Sequence, residues 1–382
     1  MRILHFHQDY PDCFSYPSTK VVSNLIESCE KRNPNIEHFV VSINRTSNPF
    51  KVSLKNFERG IAVVYWAIPL PLIYLPVMTI WALVMRLMLR NEKFDLVHGH
   101  KLTTEGLFTY FFARLSNLPY CISVRGGTDV HMLRKMWDLR WLWKKVYKEA
   151  KHVFWVSCWA KGKVESYLKI ARTENSSRFP NIGVINTASE YTAPRDRKRF
   201  ITVLSFHQMK RKGLLELFNA VKLLSEEGHT FHLDVVGGGD ERNLVYAKSQ
   251  LKNMGLQDQV TIFGLLSHDK VLKKISESKA MLLPAKNETF GLVYIEALAN
   301  ATPIMYLKNT GIDGYFEPSE IGVRLEEQDV ESIKQGILEL DKNYDQLSSQ
   351  LKNNLAKGFL SEFCEENVIK LYTTVAEKII KK

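Results

Sequence analysis

Two glutamates flank a glycine turn in the stretch "NETFGLVYIEALANATP", where Glu288 and Glu296 lie eight positions apart. On one continuous helix, at about 100° per residue, this spacing would separate the two side chains by roughly 80°. Gly291 and the polar residues before it predict instead that Glu288 lies ahead of a helix and Glu296 within its first two turns. The two carboxylates would then address different parts of one ligand, or only one of them would bind it.

The same stretch predicts a phosphate site between the carboxylates. The backbone N–H groups of residues 289–293 would be free donors at the helix N-terminus, and such a terminus attracts phosphate. Hydroxyl groups on either side of the phosphate could donate to the two carboxylates, which fits the sugar and the ribose of a nucleotide-sugar. The alternative is that Glu288 caps the helix and Glu296 is a solvated helix residue.

Two further segments are candidates for the same ligand. "SFHQMKRKG" places Lys210, Arg211 and Lys212 between a predicted strand and a helix opened by Gly213. A lysine at such a junction can reach a phosphate that sits on helix amides, although three adjacent cations are also typical of a solvated turn. "VVGGGDE" ends another predicted strand in glycines, which permit close backbone approach, but it lacks the G-x-G-x-x-G spacing of a nucleotide fingerprint.

The elements that must position these residues alternate along the chain. Short apolar strands such as "MRILHFH", "FDLVHGH" and "ITVLSF" are each followed by a segment with helical spacing. This alternation predicts parallel sheets with helices on both faces, and ligands at the carboxyl ends of the strands. The polar segment "NTASEYTAPRDRKRF" is interpreted as a linker, so we predict one domain over residues 1–191 and a second over residues 192–382.

Charge and cysteine content narrow the function classes. Residues 1–190 contain 26 Lys and Arg against 15 Asp and Glu, whereas residues 191–382 contain 26 of each. A basic first half predicts an acidic partner: anionic lipid, a phosphorylated substrate or nucleic acid. The five scattered cysteines include no C-x-x-C pair and indicate neither a disulfide framework nor a zinc site. The polar N-terminus does not resemble a secretory signal, so we expect a reducing, cytoplasmic setting.

Two segments of the basic half are candidates for membrane contact. Residues 61–85 carry no charge over 25 positions, but three prolines argue against one straight helix. We interpret them as a strand, a proline loop and a core helix over about residues 75–89; a membrane-dipping helix and a membrane span are the alternatives. Residues 133–152 combine Trp137, Trp141 and Trp143 with seven basic residues. They predict either an interfacial helix or a surface helix packed on the core.

In sequence order, "FHQMKRKG", "VVGGGDE", "VTIFGLLSHDKV" and "PAKNETFGLVYIEALANATPIM" resemble the motifs of the retaining family 4 glycosyltransferases, including their E-x7-E signature. The first half resembles the family's N-terminal landmarks in "FDLVHGH", "PYCISVRGGTDV", "VFWVS" and "FPNIGV". The resemblance implies the GT-B fold, an α/β architecture of two Rossmann-like doubly wound domains facing each other across a cleft. It also implies a last helix, over about residues 363–382, that packs back on the N-terminal domain.

The resemblance implies roles for individual residues. Lys212 matches the lysine that binds the donor pyrophosphate, Glu288 the glutamate at the transferred sugar, and Glu296 the glutamate that holds the ribose. Catalytic roles would fall to Glu288, Lys212 and Arg125. The donor-binding set comprises His207, Arg211, Lys212, Gly238, Glu288, Thr289, Phe290, Gly291, Leu292 and Glu296.

This sequence departs from the family pattern at two of these positions. His207 replaces an arginine that usually stands five residues before the lysine, so phosphate charge would come from Lys210 or Arg211, or in part from His207. "RGGTD" replaces the family's H-G-x-D, which puts Arg125 where a histidine is common. A cation there could face an anionic acceptor or the donor phosphate.

The function expected from these features is a retaining hexosyltransferase that uses a nucleotide-sugar such as a UDP- or GDP-sugar. The family implies no cofactor and no metal, and the motifs show no carboxylate and histidine cluster that requires one. The acceptor is expected to be a lipid-linked or phosphorylated glycan of cell-surface polysaccharide or lipopolysaccharide synthesis, met at the inner face of the plasma membrane. Alternatives are a GT-B epimerase or hydrolase, a silent nucleotide-sugar sensor and a nucleic-acid binder, although no nucleic-acid module is recognised.

Overall fold

A computed structural model of the chain describes residues 1–14, 19–68, 70–171, 174–183, 185 and 197–381. It divides into two compact units, residues 1–182 with 365–382 and residues 183–364. The predicted linker and the predicted boundary at residues 191–192 fall mostly on residues 186–196, which lie outside the described chain.

The first unit is built on an eight-stranded sheet. Its strands are β1 (Arg2–His7), β2 (Glu37–Thr46), β3 (Ser53–Phe57), β4 (Gly60–Trp66), β5 (Leu96–Gly99), β6 (Tyr120–Val124), β7 (His152–Trp155) and β8 (Ser176–Arg178). Its first six helices are α1 (Val21–Arg32), α2 (Pro71–Met88), α3 (Thr104–Ser116), α4 (Gly127–Lys135), α5 (Arg140–Glu149) and α6 (Ala160–Leu168). The strand order is β3-β4-β2-β1-β5-β6-β7-β8, and β3 alone pairs antiparallel. The prediction of a parallel sheet is confirmed, although the β3–β4 hairpin was not foreseen.

The second unit is built on a six-stranded parallel sheet. Its strands are β9 (Arg199–Val203), β10 (His232–Val236), β11 (Val260–Gly264), β12 (Ser278–Leu282), β13 (Ile304–Leu307) and β14 (Gly322–Leu325). Its helices are α7 (Met209–Lys212), α8 (Leu214–Glu226), α9 (Glu241–Asn253), α10 (His268–Ser276), α11 (Leu292–Ala299), α12 (Pro318–Ile321), α13 (Val330–Lys342) and α14 (Tyr344–Ala356). The order β11-β10-β9-β12-β13-β14 is that of a doubly wound Rossmann sheet.

The last helix, α15 (Glu365–Ile380), belongs to the first unit. Tyr372 and Val368 of α15 pack with Ile3 of β1 and Leu96 of β5 in one apolar cluster. A second and larger cluster on the first unit's sheet contains residues of α2, α3 and α5. The sheet is therefore covered by apolar side chains on both faces, as near-continuous apolar strands require.

The two candidate membrane segments differ from expectation in their bounds. The helix expected from about residue 75 begins at Pro71, because a proline is well suited to a first helical position, and it continues through Pro76. Residues 133–152 form the end of α4, a short turn and α5 rather than one helix. Trp143 is fully buried, while Trp137 and Trp141 are exposed, so the three tryptophans do not share one surface. Within the described chain, no helix combines the length and the hydropathy that crossing a bilayer requires.

Candidate functional site

The candidate site of the second unit lies where the strand order reverses. β9 and β12 are neighbours in the sheet. The strand that follows β9, β10, lies on one side of this pair, and the strand that follows β12, β13, lies on the other. In doubly wound sheets ligands bind beyond the carboxyl ends of the strands at this point. The segment after β9 carries Arg211 and Lys212, and the segment after β12 carries Glu288.

Hydrogen bonds join these two segments. The N–H of Lys286 donates to the carbonyl of Arg211 over 2.8 Å. The side-chain amide of Gln328 donates to the carbonyls of Pro284, at 2.6 Å, and of Arg211, at 3.1 Å. Gln328 is nearly buried, so these bonds are shielded from water. The backbone next to Lys212 is thereby held beside the backbone that leads to Glu288.

Lys212 and Glu288 form an ion pair at this junction. The ammonium of Lys212 donates to Oε2 of Glu288, and the two side chains are only 11% and 13% exposed. The guanidinium of Arg211 lies 3.7 Å from the same oxygen and donates to the carbonyl of Asn287 at 2.8 Å. Two cations thus face one carboxylate, which leaves this pocket with an excess of positive charge for an anionic ligand.

The N-terminus of α11 opens next to this pair. Gly291 precedes α11 with φ of +76°, and a Cβ atom there would lie 2.5 Å from the ring of Tyr294. Glycine is therefore required for this turn. The Phe290 side chain is buried against Tyr315 and Phe363 and anchors the turn to the core of the unit. The N–H of Thr289 donates to Oε1 of Glu288 at 3.2 Å, so the backbone of residues 290–292, rather than the Phe290 ring, is what a ligand could meet.

Thr310 positions Glu288 and was not foreseen from the sequence. Its hydroxyl accepts the backbone N–H of Glu288 at 2.7 Å, and the N–H of Gly311 donates to the carbonyl of Glu288 at 2.8 Å. The segment after β13 therefore fixes the residue that precedes α11. No local pattern in the sequence identifies such a contact, because the partners are 22 residues apart.

Glu296 is the fifth residue of α11, and Glu288 lies ahead of the helix, so this predicted placement is confirmed. Oε1 of Glu296 lies 3.0 Å from Nε2 of His268, the first residue of α10. Glu296 is 15% exposed and His268 is 50% exposed. The carboxylate is thus reachable at the edge of the site, and His268 is a neighbour that sequence reasoning missed.

The glycine loop after β10 closely approaches the segment after β9. A Cβ atom on Gly237 would lie 1.6 Å from the carbonyl oxygen of Leu204, and the N–H of Phe206 donates to the carbonyl of Gly238 at 2.9 Å. Glycine permits this close approach between two backbone segments, and the predicted contact of Gly238 with a donor stays a prediction. His207 follows directly and is exposed.

Arg125 lies in the first unit, after the carboxyl end of β6. Its guanidinium donates to the carbonyl of His100 at 3.1 Å and to the side-chain oxygen of Asn181 at 3.2 Å. Its backbone N–H donates to Asp129 at 2.9 Å, and burial raises the pKa of that carboxyl to about 6. The guanidinium is held in place at the carboxyl edge of this sheet, and its predicted role toward an acceptor or a phosphate stays a prediction.

Five histidines gather in the sheet of the first unit, a feature that sequence reasoning also missed. They are His5, His7, His38, His98 and His100. Burial is the main cause that lowers the pKa of each, to about 4 in His38 and about 3 in His98, so the imidazoles are uncharged at neutral pH. The signal available in the sequence was the repeated H-x-H in "HFH" and "HGH" at the ends of two strands.

Comparison with known families matches both halves of the chain. Residues 188–358 match the family described as Glycosyl transferases group 1. Residues 19–174 match the Glycosyl transferase 4-like domain.

Individual relatives are distant. An uncharacterised glycosyltransferase of Methanocaldococcus jannaschii is 22% identical over 300 residues, which cover 76% of this chain and 78% of that protein. N-acetyl-alpha-D-glucosaminyl L-malate synthase of Bacillus anthracis is 24% identical over 193 residues, covering 50% of this chain and 48% of that protein. The crystal structure of Anabaena HepE in complex with UDP superposes with a TM-score of 0.68 at 13% identity, covering 99% of this chain and 100% of that chain. At this identity the likeness shows the fold.

Proposed function

Because the chain belongs to the group 1 glycosyltransferases and has the GT-B fold, we propose that it transfers a sugar with retention from a nucleoside diphosphate donor to a glycan. The observation that carries the proposal is the Lys212–Glu288 pair beside the N-terminus of α11, with Arg211 next to it. This arrangement offers cations and the amides at the start of α11 to a diphosphate, and a carboxylate to the hydroxyls of a sugar.

The donor would occupy the site in a defined orientation. The diphosphate sits on the amides of residues 290–292 and on Lys212, the transferred sugar lies at Glu288, and the ribose hydroxyls donate to Glu296. As the glycosidic bond to phosphate breaks, the leaving diphosphate gains negative charge. Lys212 and the helix amides are already in place to stabilise that charge, so no reorganisation is needed at the moment of reaction. The proposed donor chemistry assigns no role to a metal.

We assign a uridine nucleotide as the first candidate donor. Its support is the UDP found in the Anabaena structure, and the name of the Bacillus anthracis relative supports N-acetylglucosamine as the first sugar to test. Glu296 suits any ribonucleotide, since every ribose presents the same two hydroxyls. A GDP-sugar therefore remains the second donor to test.

A lipid-linked or phosphorylated glycan at an anionic membrane is the acceptor we propose. The support is an apolar stripe on α2, formed by Ile80, Leu83 and Leu87, which are 59%, 47% and 59% exposed. Trp137 and Trp141 are exposed near and on α5, and α2 and α5 both pack against α3. Exposed apolar and tryptophan side chains on a basic unit fit the headgroup region of anionic lipid.

The test is to incubate the full chain with UDP-N-acetylglucosamine, UDP-glucose, UDP-galactose and GDP-mannose in the presence of a membrane lipid extract. Transfer of labelled sugar into the lipid fraction is expected with one donor. Lys212→Met should lower its rate by about 100- to 1,000-fold, while the neighbouring Lys210→Met should not. Donor conversion without transfer would instead identify an epimerase or hydrolase. Absence of both reactions with every donor, together with no nucleotide binding, would contradict the proposal.

A further inference from the structure

The five buried histidines of the first unit lie on one face of its sheet. His5 of β1 and His98 of β5 are direct partners in the strand register. His100 follows His98 by two positions, so the alternation of side chains along a strand places it on the same face. This face otherwise carries Ile3, Leu96 and other apolar residues under α15. The imidazoles therefore form a polar island within an apolar layer.

Hydrogen bonding within the island is incomplete. Nδ1 of His5 lies 2.9 Å from Nε2 of His100, and Nε2 of His5 lies 2.8 Å from Nδ1 of His38. These two bonds make a chain of three imidazoles. Its outer atoms, Nε2 of His38 and Nδ1 of His100, are buried and have no hydrogen-bond partner among the described residues. A buried polar atom left without a partner costs about 1–3 kcal/mol. The layer thus holds more nitrogen atoms than protein hydrogen bonds can satisfy.

We propose that His5, His98 and His100 bind one Zn²⁺ ion. One ring nitrogen of each lies within 4.8 Å of the other two, and small rotations of the rings would turn these nitrogens toward one ion. Two nitrogens bound at about 2.0–2.1 Å to a tetrahedral zinc ion lie roughly 3.3 Å apart. The 2.9 Å between His5 and His100 therefore needs to open by only a few tenths of an ångström. Three imidazoles form one of the zinc ligand sets known in proteins, with a water molecule as the fourth ligand.

Neighbouring groups already orient the proposed ligands. His38 is bonded to the nitrogen of His5 that would not face the ion, and metal-binding histidines commonly use their second nitrogen in this way. His98 has Ser123 at 2.9 Å on one nitrogen and the hydroxyl of Tyr372 at 3.1 Å on the other. It would give up one of these bonds to the metal and keep the other. Lys101, the nearby lysine, is paired with the buried carboxylate of Glu105 at 3.2 Å.

The role of such an ion is structural, and the proposal does not rest on the proposed sugar transfer. It would join β1 to β5 at the reversal point of the sheet. The reversal point also lies beneath Arg125, whose guanidinium is bonded to the carbonyl of His100. Zinc binding should therefore raise the thermal stability of the chain and hold the backbone that positions Arg125.

The experiment uses the full chain, stripped with a chelator and reloaded with Zn²⁺. We expect about one zinc per chain by elemental analysis, a higher thermal midpoint than that of the stripped chain, and the visible spectrum of tetrahedral nitrogen-bound Co²⁺ when cobalt replaces zinc. His100→Gln should weaken zinc binding by 10-fold or more. His131→Gln, an exposed histidine on α4 of the same unit, should leave it unchanged.

Two results would overturn the proposal. One is a wild-type chain that retains no stoichiometric zinc and shows no cobalt spectrum, which would identify the island as a chain of hydrogen-bonded imidazoles only. The other is equal loss of zinc in His100→Gln and His131→Gln. The cobalt spectrum of the wild-type chain tests the site even if His100→Gln fails to fold. Retained donor turnover in the zinc-stripped chain would not count against the zinc site.

Discussion

Replacing Lys212 by methionine removes one charge while keeping an unbranched side chain of similar length. In the free protein the change leaves the carboxylate of Glu288, only 13% exposed, with Arg211 at 3.7 Å as the nearest remaining cation. Because Arg211 compensates in part, we expect a loss of about 1–3 kcal/mol in the free energy of unfolding, below the range for breaking a fully buried pair. Urea denaturation measures this change in the free energy of unfolding.

Lys212→Met should affect UDP binding and turnover together more than it affects the free energy of unfolding. A hydrogen bond from a charged group contributes about 1.5–3 kcal/mol, which corresponds to a roughly 10- to 150-fold rise in the dissociation constant for UDP. The turnover rate should fall further, by about 100- to 1,000-fold, since removal of a group that stabilises transition-state charge has that cost in other enzymes. Calorimetry measures the dissociation constant for UDP, and a transfer assay measures the turnover rate.

The control is Lys210→Met, in the same short helix, where the side chain is exposed. It removes the same charge from the unit without touching Glu288. If Lys212→Met and Lys210→Met lower UDP affinity and turnover equally, only the general charge of this helix matters. The reasoning from the buried ion pair would then be refuted.

Three further predictions address other parts of the molecule. Glu296→Ala should weaken UDP binding by about 1–3 kcal/mol, because the ribose hydroxyls lose a charged acceptor; unchanged affinity by calorimetry would remove its assigned role. Gly291→Ala should lower the free energy of unfolding by about 1–3 kcal/mol more than Gly255→Ala, since both glycines have similar φ, +76° and +71°, but only Gly291 faces Tyr294. Equal losses of unfolding free energy in the two variants, measured by urea denaturation, would show that the Tyr294 ring moves aside freely. Leu83→Asp should reduce sedimentation with anionic vesicles at low salt, and full sedimentation would exclude α2 as the contact.

Much of the fold follows from local patterns. Apolar strands alternating with helical spacing were enough to predict two parallel sheets, and Gly291 marked the turn before α11 correctly. The predicted bounds of a helix are wrong where two local signals compete. The prolines of residues 69–76 predict a loop that includes Pro71, yet Pro71 starts α2. A proline suits the first helical turn even though it disfavours the helix interior.

Burial of individual side chains could not be read from composition. Trp141 and Trp143 stand two positions apart on α5, which turns the second side chain by about 200° from the first, so Trp141 is exposed and Trp143 lies in the core. The segment predicts either an interfacial helix or a surface helix packed on the core, and its break at residues 137–139 was not foreseen.

The sequence by itself determined the kinds of groups in this glycosyltransferase: cations after β9, a glycine turn with a glutamate on each side after β12, and H-x-H at the ends of two strands. Only the tertiary structure decided which of these groups meet. Lys212 reaches Glu288 across 76 residues of chain, and His5 reaches His100 across 95. Strand order and register decide which of these residues come into contact. Parallel neighbours are joined through long crossover connections, so a local sequence pattern does not show which strands become neighbours.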